Sequence, residues 1–203
     1  MTTLLLVRHG HVDGIKPERF RGRADLALTA TGRRQAELLA RRISALWAPD
    51  AIYTSPLQRS VATGAAVAAA CGVAAEPLGG LSDIDYGAWQ SLSHDDARAQ
   101  NPDLFAAWFA TPQRVGFPDG ESLQDVAART AGVLRLVLAR PADTLVLVGH
   151  DSVNRVLLTQ LLDMPLSAYW RFAQHPCCLN EIEITASSIQ LRRMNDTAHL
   201  ESE

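Results

Sequence analysis

Two short apolar runs of this chain each lead into a histidine. Residues 4–7 run into Arg8 and His9, and residues 145–148 run, through one glycine, into His150. Runs of this length that are apolar at every position are typical of strands buried on both faces of a parallel sheet. The carboxyl ends of parallel strands meet at one edge of such a sheet, where ligands bind. We therefore expect both imidazoles and Arg8 to face one pocket that suits an anionic group such as phosphate.

Strand and helix signals alternate along the rest of the chain. The predicted strands are residues 4–8, 51–53, 73–78, 144–149, 178–184 and 188–193. The predicted helices are residues 31–47, 57–70, 122–139, 152–162 and 167–173, with one or two more between 95 and 109. This order predicts a single three-layer α/β/α domain over residues 1–203, with a mainly parallel central sheet, a hairpin at its edge, and the active site at the carboxyl ends of the strands.

Two stretches show no sustained periodicity of apolar residues. Residues 11–28 contain glycine and proline and predict a long loop over the end of the first strand, of a length that is often functional. Residues 80–120 are also irregular. Because no Ser/Gly-rich linker marks a domain boundary there, we interpret them as an insertion over the active face. Ser122, just after this stretch, is a good N-cap and predicts the start of the next helix.

Composition argues against several classes of partner. The chain has 19 Lys and Arg residues against 22 Asp and Glu, a formal net charge of -3, whereas nucleic-acid binders usually carry a basic excess. No apolar run approaches the length of a membrane span, and residues 4–7 are too short for the core of a signal peptide. The three cysteines, at 71, 177 and 178, match neither a disulfide framework nor metal-ligand spacing. We expect a cytoplasmic protein without a metal ion, whose oligomeric state the sequence leaves open.

Six short motifs follow one another in a set order. They are Val7-Arg8-His9-Gly10, Leu28-Thr29-x-x-Gly32-x-x-Gln35-Ala36, Ser55-Pro56-Leu57-x-Arg59-x-x-x-Thr63, Asp85-Tyr86-Gly87-x-Trp89, Pro118-x-Gly120-Glu121-Ser122 and Val148-Gly149-His150. Together they resemble the signatures of the histidine phosphatase (phosphoglycerate mutase-like) superfamily, over about residues 4–162. A single Arg-His-Gly would be weak evidence, but six ordered motifs are strong evidence.

The resemblance implies a role for each residue of the pocket. His9 would attack phosphorus and form a phosphohistidine that water later hydrolyses, which suits an imidazole that is neutral near neutral pH. Arg8 and Arg59 would bind the phosphate oxygens through charge-assisted hydrogen bonds. Arg59 would do so from the first turn of a helix, where the dipole also favours an anion. His150 would donate to the phosphoryl oxygens in the transition state. Arg21, in the 11–28 loop, is our choice for a further substrate contact. No cofactor is implied.

The proton donor is the point where the chain departs from the family. Many members have a glutamate where this chain has Asp83, and the acid-phosphatase branch has an aspartate directly after the second histidine, here Asp151. Both are candidates for the general acid, and position 83 is favoured. Asp151 has an alternative role as N-cap of the following helix. Glu121 is expected to border the pocket, or else to be an acid favoured by the dipole of the next helix.

The function that these features favour is hydrolysis of a small phosphomonoester without a metal ion. One alternative is a cofactor-dependent phosphoglycerate mutase, which would share the same centre. The length of the chain and Ser91, where many members have glycine, favour hydrolysis. The other alternative is a binding or regulatory protein that kept the pocket and lost efficient acid catalysis. The substrate would be a small molecule, and the sequence does not identify it.

Overall fold

A six-stranded sheet lies at the centre of the protein, which a computed structural model describes over residues 1–201. Within that range the strands are Thr2–Arg8 (β1), Ala51–Thr54 (β2), Ala75–Pro77 (β3), Thr144–Gly149 (β4), Leu179–Ile184 (β5) and Ile189–Asp196 (β6). Their order across the sheet is β3-β2-β4-β1-β5-β6. The first four in this order run parallel, and β5 and β6 are antiparallel to their neighbours. The mainly parallel sheet and the edge hairpin predicted from the sequence are therefore confirmed.

The α-helices begin close to the positions that the sequence predicts. Those in the described range are Ala30–Leu46 (α1), Gln58–Cys71 (α2), His94–Gln100 (α3), Pro102–Ala110 (α4), Leu123–Leu138 (α5) and Asp151–Leu161 (α6). The predicted cap Ser122 is confirmed, because its hydroxyl accepts the N–H of Asp125 and the Asp125 carboxylate accepts the N–H of Ser122. Over residues 1–201 no helix combines the length and the apolar character needed to cross a membrane.

Three local predictions are corrected. Asp151 does not cap α6: the N-cap position is His150, whose side chain makes no capping bond, and Asp151 lies in the first turn. The segment predicted as a helix at 167–173 is a 3₁₀ helix at Leu166–Arg171. The strand predicted at 73–78 pairs over only three residues.

Side chains on the two faces of the strands build two cores. Leu4 and Leu6 of β1 point to the face that α5 and α6 cover, and Leu5 and Val7 point to the face that α1 and α2 cover. All four are fully buried, as alternation along a strand with both faces covered requires. This arrangement fixes β1 and β4 at the middle of the sheet, so the residues that follow them start from a rigid base.

The end of β1 lies against the start of α1. A Cβ atom added to Gly10 would lie 2.5 Å from the carbonyl oxygen of Gly32, so backbone meets backbone there and neither motif glycine can carry a side chain without a shift. The hydroxyl of Thr29 caps α1 by accepting the N–H of Gly32 at 3.1 Å. Two of the motifs found in the sequence therefore contact each other directly beside His9.

Candidate active site

The two histidines come together because their strands are neighbours in register. Arg8 at the end of β1 lies opposite Gly149 at the end of β4, so His9 and His150 leave the sheet side by side. Their ring centroids are 5.1 Å apart and their planes are tilted by 59°. Both side chains are almost completely buried. The strand ends themselves thus bring together the two histidines that the sequence places at this edge of the sheet.

Hydrogen bonds assign the proton of His9 to one nitrogen. Its Nδ1 lies 2.7 Å from the carbonyl oxygen of Gly10, and because a carbonyl oxygen only accepts, Nδ1 carries the hydrogen. The lone pair is then on Nε2, which accepts a bond from Nε of Arg59 at 3.2 Å. The N–H of Gly10 in turn donates to the hydroxyl of Thr63 at 3.0 Å. A neutral imidazole held in this way presents Nε2 as a nucleophile.

Arg59 is the connection between the histidines, the 11–28 loop and Asp83. It is fully buried, and its terminal nitrogens donate to the carbonyl oxygens of Gly22 at 2.6 Å and Ala24 at 2.7 Å. One of them also lies 3.1 Å from Oδ2 of Asp83. Its Nε lies 3.2 Å from Nδ1 of His150, the same distance as from His9. The part of Arg59 that faces the histidines is therefore Nε, while most of its remaining donors bind the protein.

Three buried side-chain N–H groups of the candidate site lack a hydrogen-bond partner among residues 1–201. They are Nε of Arg8, Nε of Arg21 and Nε2 of His150. The single N–H of Arg59 Nε is shared between Nε2 of His9 and Nδ1 of His150, so Nδ1 of His150 is an acceptor and the hydrogen of that ring is on Nε2. The terminal groups of the two arginines are anchored, Arg8 on the carbonyl of Gln174 and Arg21 on that of Gly14. Leaving a buried donor unpaired costs about 1–3 kcal/mol, and two of these donors belong to arginines that line one cleft, so they favour an anion as ligand.

Burial and positive charge keep both imidazoles neutral. Burial lowers the pKa of His9 well below its usual value, and the neighbouring His150, Arg59 and Arg8 lower it further. The pKa of His150 is also well below its usual value, through burial and then through Arg59 and Arg8. Burial also lowers the pKa of Arg21, and Arg8 adds to the effect. Asp83 pairs with only one of these cations, Arg59, so the surplus of positive charge favours an anionic ligand.

The two candidate acids stand in different surroundings. The carboxylate of Asp83 is buried and accepts bonds from the N–H of Ile84, the hydroxyl of Ser152 and the guanidinium of Arg59. Its Oδ2 lies 3.6 Å from Nδ1 of His150. The side chain of Asp151 is 30% exposed, and its Oδ1 accepts from Nε of Arg155 at 2.7 Å. Asp151, but not Asp83, lines the cleft that opens beside Arg8.

Glu121, which the sequence predicts to border the pocket or to be favoured by the dipole of the next helix, lies in a network of ion pairs. Its carboxylate forms a two-pronged ion pair with Arg129, at 2.9 and 3.0 Å, and a second pair with Arg23. It also accepts the N–H of Asp85 at 2.9 Å. Arg129 extends this network by donating to the carbonyl oxygens of Gly80, Ser82 and Asp83. Glu121 therefore fixes the backbone that carries Asp83.

The structure adds residues that the sequence motifs did not reveal. Ser152 binds Asp83, Arg129 fixes the 80–83 backbone, and Gln174 anchors Arg8. Each contact joins segments far apart in the chain, and no local pattern in the sequence marks them. A group of three His, Cys, Asp or Glu side chains able to hold a metal ion is not found among the described residues.

Known proteins resemble this chain over nearly its full length. Residues 4–197 match the family model described as the histidine phosphatase superfamily, branch 1. Phosphoserine phosphatase 1 of Hydrogenobacter thermophilus is 31% identical over 201 residues, which are 98% of this chain and 95% of that protein. The adenosylcobalamin/alpha-ribazole phosphatase of Salmonella typhimurium is 28% identical, over 96% of each chain. Other relatives are longer, and this chain spans 55% of a bifunctional protein of Mycobacterium tuberculosis.

A solved structure shares the fold. A mycobacterial glucosyl-3-phosphoglycerate phosphatase superposes with a TM-score of 0.86 at 25% identity, over 96% of this chain and 98% of that one. The strand order and the helices on both faces are therefore those of a known architecture.

Proposed function

Because this chain belongs to the histidine phosphatase superfamily, we propose that it is a phosphoric monoester hydrolase that acts on a small phosphorylated metabolite through a phosphohistidine on His9. We call Arg8, His9, Arg59 and His150 the phosphate end of its site. The observation that carries the proposal is the group of unpartnered buried N–H groups on Arg8, Arg21 and His150. A phosphoryl group has the oxygens to accept all three bonds, and charge-assisted bonds of this kind are about twice as strong as neutral ones.

The reaction proceeds in two steps. First, the lone pair on Nε2 of His9 attacks phosphorus, the bond from phosphorus to the leaving oxygen breaks, and that oxygen takes a proton from an acid. Second, the oxygen of a water molecule attacks phosphorus, the phosphorus–nitrogen bond breaks, and the acid, now a carboxylate, takes the proton of the water. The unpartnered donors stabilise the charge that gathers on the equatorial oxygens.

We assign the proton transfer to Asp151 and a positioning role to Asp83, although the sequence favours Asp83. Asp151 lines the cleft into which a leaving group would extend. Asp83 is buried and accepts three hydrogen bonds, one from Arg59. Its role is then to hold Arg59 against the two histidines.

The test is an assay of the purified protein with p-nitrophenyl phosphate from acidic to neutral pH, with and without EDTA. We expect hydrolysis that EDTA does not reduce and that requires no priming by a bisphosphoglycerate. Acid quenching is avoided, because phosphohistidine is labile in acid; alkaline quenching should reveal a phosphorylated protein. His9→Gln should abolish both signals. His175→Gln is the matched control, because His175 is exposed and bonds only to Asn195 among the contacts observed for its side chain.

Three outcomes would contradict the proposal. Activity that appears only after priming would favour the phosphoglycerate mutase. Activity lost in EDTA and restored by a divalent metal would exclude this mechanism. No hydrolysis and no phosphohistidine, with phosphate still bound, would favour the binding or regulatory protein.

A further inference from the structure

The cleft beside Arg8 has a wall of aromatic side chains. Its volume is about 260 Å³, below the range of roughly 300–1,000 Å³ that is usual for drug-sized ligands, so a single ring beside a phosphate suits it. From Arg8 and Asp151 it extends to the rings of Phe20, Tyr86, His94, Trp108, Phe109 and Trp170. We call Phe109 and Trp170 the aromatic rim.

The aromatic rim pairs an exposed ring with a partly buried one that is fixed in place. The Phe109 residue is 42% exposed, although it is large and apolar. Its ring stacks on Trp170 with centroids 5.2 Å apart and planes 20° apart. Trp170 is held by a bond from its Nε1 to the carbonyl oxygen of Trp108 at 2.8 Å and by the guanidinium of Arg155, 4.9 Å from the ring centre. An ordered ring pair at a cleft mouth is suited to stacking a third ring.

The same contacts connect the aromatic rim to the proposed acid. Arg155, which lies over Trp170, also binds Asp151. A group that departs from phosphorus and takes a proton from Asp151 would therefore leave along the rim. The part of the cleft formed by Asp151 and the aromatic rim is called the leaving-group end.

Charge along the cleft favours an anionic substrate. The lining has four cationic side chains and two acidic ones, namely Arg8, Lys16, Arg19, Arg21, Glu18 and Asp151. When Asp151 holds the proton that it donates, the surplus is three positive charges, which suits a phosphomonoester of charge about -1.5 to -2.

We infer that the substrate is a phosphomonoester whose leaving group carries a compact aromatic or heteroaromatic ring that packs against Phe109 and Trp170. This inference rests on the proposed function and adds the class of substrate. It sets a ring-bearing alcohol apart from phosphoserine or a phosphorylated sugar acid, because those substrates have no aromatic ring to pack against the aromatic rim.

The experiment compares kcat/KM for benzyl phosphate, cyclohexylmethyl phosphate and O-phosphoserine. The first two both release a primary alcohol, so they differ chiefly in the aromaticity of the ring. We expect benzyl phosphate to exceed cyclohexylmethyl phosphate by about two- to tenfold, and O-phosphoserine by on the order of tenfold or more. In Phe109→Leu, the preference for benzyl over cyclohexylmethyl phosphate should fall to about one, and in Phe109→Tyr, which keeps the ring, it should remain. Leu136→Ala, an exposed site on α5, is the control and should keep the preference of the parent protein.

The outcomes separate the two proposals. Hydrolysis without a preference for the aromatic ring, or a preference that Phe109→Leu leaves intact, overturns the inference and leaves the phosphatase standing. A preference for O-phosphoserine overturns it as well. Absence of hydrolysis with all three compounds and with p-nitrophenyl phosphate contradicts the proposed function itself.

Discussion

The four residues of the phosphate end are at most 5% exposed, whereas at the leaving-group end the Asp151 side chain is 30% exposed and the Phe109 residue 42% exposed. The phosphate end is built from strand ends and the first turn of α2, and nearly every polar atom in it is held by a hydrogen bond or faces the pocket. The leaving-group end is built from the first turn of α6, the last turn of α4 and the 3₁₀ helix at Leu166–Arg171. Under the proposed function, the buried end supplies the chemistry that any phosphomonoester needs, and the more exposed end supplies the surface that distinguishes one substrate from another.

Residues 80–120 contribute most of the aromatic wall. Tyr86, His94, Trp108 and Phe109 all line the cleft, and on this ground we propose that the segment covers the active face, as the sequence interpretation has it. The comparison of the two ends then predicts that substitutions at the phosphate end affect all substrates alike, and that substitutions at the leaving-group end change their ranking.

The largest effect is expected from Arg59→Lys. A lysine cannot reach the two loop carbonyls, Asp83 and both histidines at once, because it lacks the planar fork of arginine. We expect kcat/KM to fall by about 10²–10³-fold, to a similar extent for aryl and alkyl phosphates. The matched control is Arg140→Lys, a half-exposed arginine paired with Glu76. A loss confined to one class of substrate would contradict the division into two ends.

The next largest effect separates the two aspartates. Asp151→Asn should reduce hydrolysis of an alkyl phosphate by about 10²-fold or more, and that of p-nitrophenyl phosphate far less, because p-nitrophenolate departs without a proton. Asp83→Asn should reduce both to a similar extent, since it disturbs Arg59. Steady-state kinetics on the two substrates distinguish Asp151 from Asp83 as the proton donor. The opposite pattern would assign the proton to Asp83.

A smaller effect concerns pH and the phosphate end alone. Burial lowers the pKa of His9 and of His150, so as pH falls through the ordinary histidine pKa of about 6.5 the unfolded chain takes up protons before the folded one. The contribution of this pair to stability is therefore complete above that pH and declines below it. Urea unfolding at pH 7 and pH 5 should show the free energy of unfolding decreasing. The decrease should be smaller in a His9→Asn, His150→Asn double variant; an equal decrease would contradict the prediction.

The smallest effect lies outside both ends. Ser122→Ala removes the hydroxyl that caps α5 and should lower the free energy of unfolding by about 1 kcal/mol. It should leave kcat/KM and the ranking of substrates unchanged, because Ser122 contacts neither end. Chemical denaturation and the benzyl and cyclohexylmethyl phosphate assay measure the two quantities on one preparation. A change in ranking would show that the leaving-group end depends on the stability of α5.

The sequence predicted the elements and the histidine pair well, for a local reason. A fully apolar run, an amphipathic stripe or a capping serine is defined by residues close together in the chain, and β1, β4 and the Ser122 cap follow from such patterns. His9 and His150 could be placed together because parallel strands end at the same edge of the sheet. The predictions that were wrong concern the cap assigned to Asp151, the type of helix at 167–173 and the length of the strand at 73–78.

Only the tertiary structure decided which partners the polar groups take. The nitrogen of His9 that carries the proton depends on the Gly10 carbonyl, and the share of Arg59 left for the pocket depends on two carbonyls of the 11–28 loop. The ring pair of Phe109 and Trp170 joins α4 to the 3₁₀ helix 61 positions further along. Partner choice is set by non-local packing, in which segments distant in sequence compete for the same donors and acceptors. The chain sequence by itself therefore determined the sheet and the histidine pair at its edge, and folding determined how those groups are oriented and which molecules they suit.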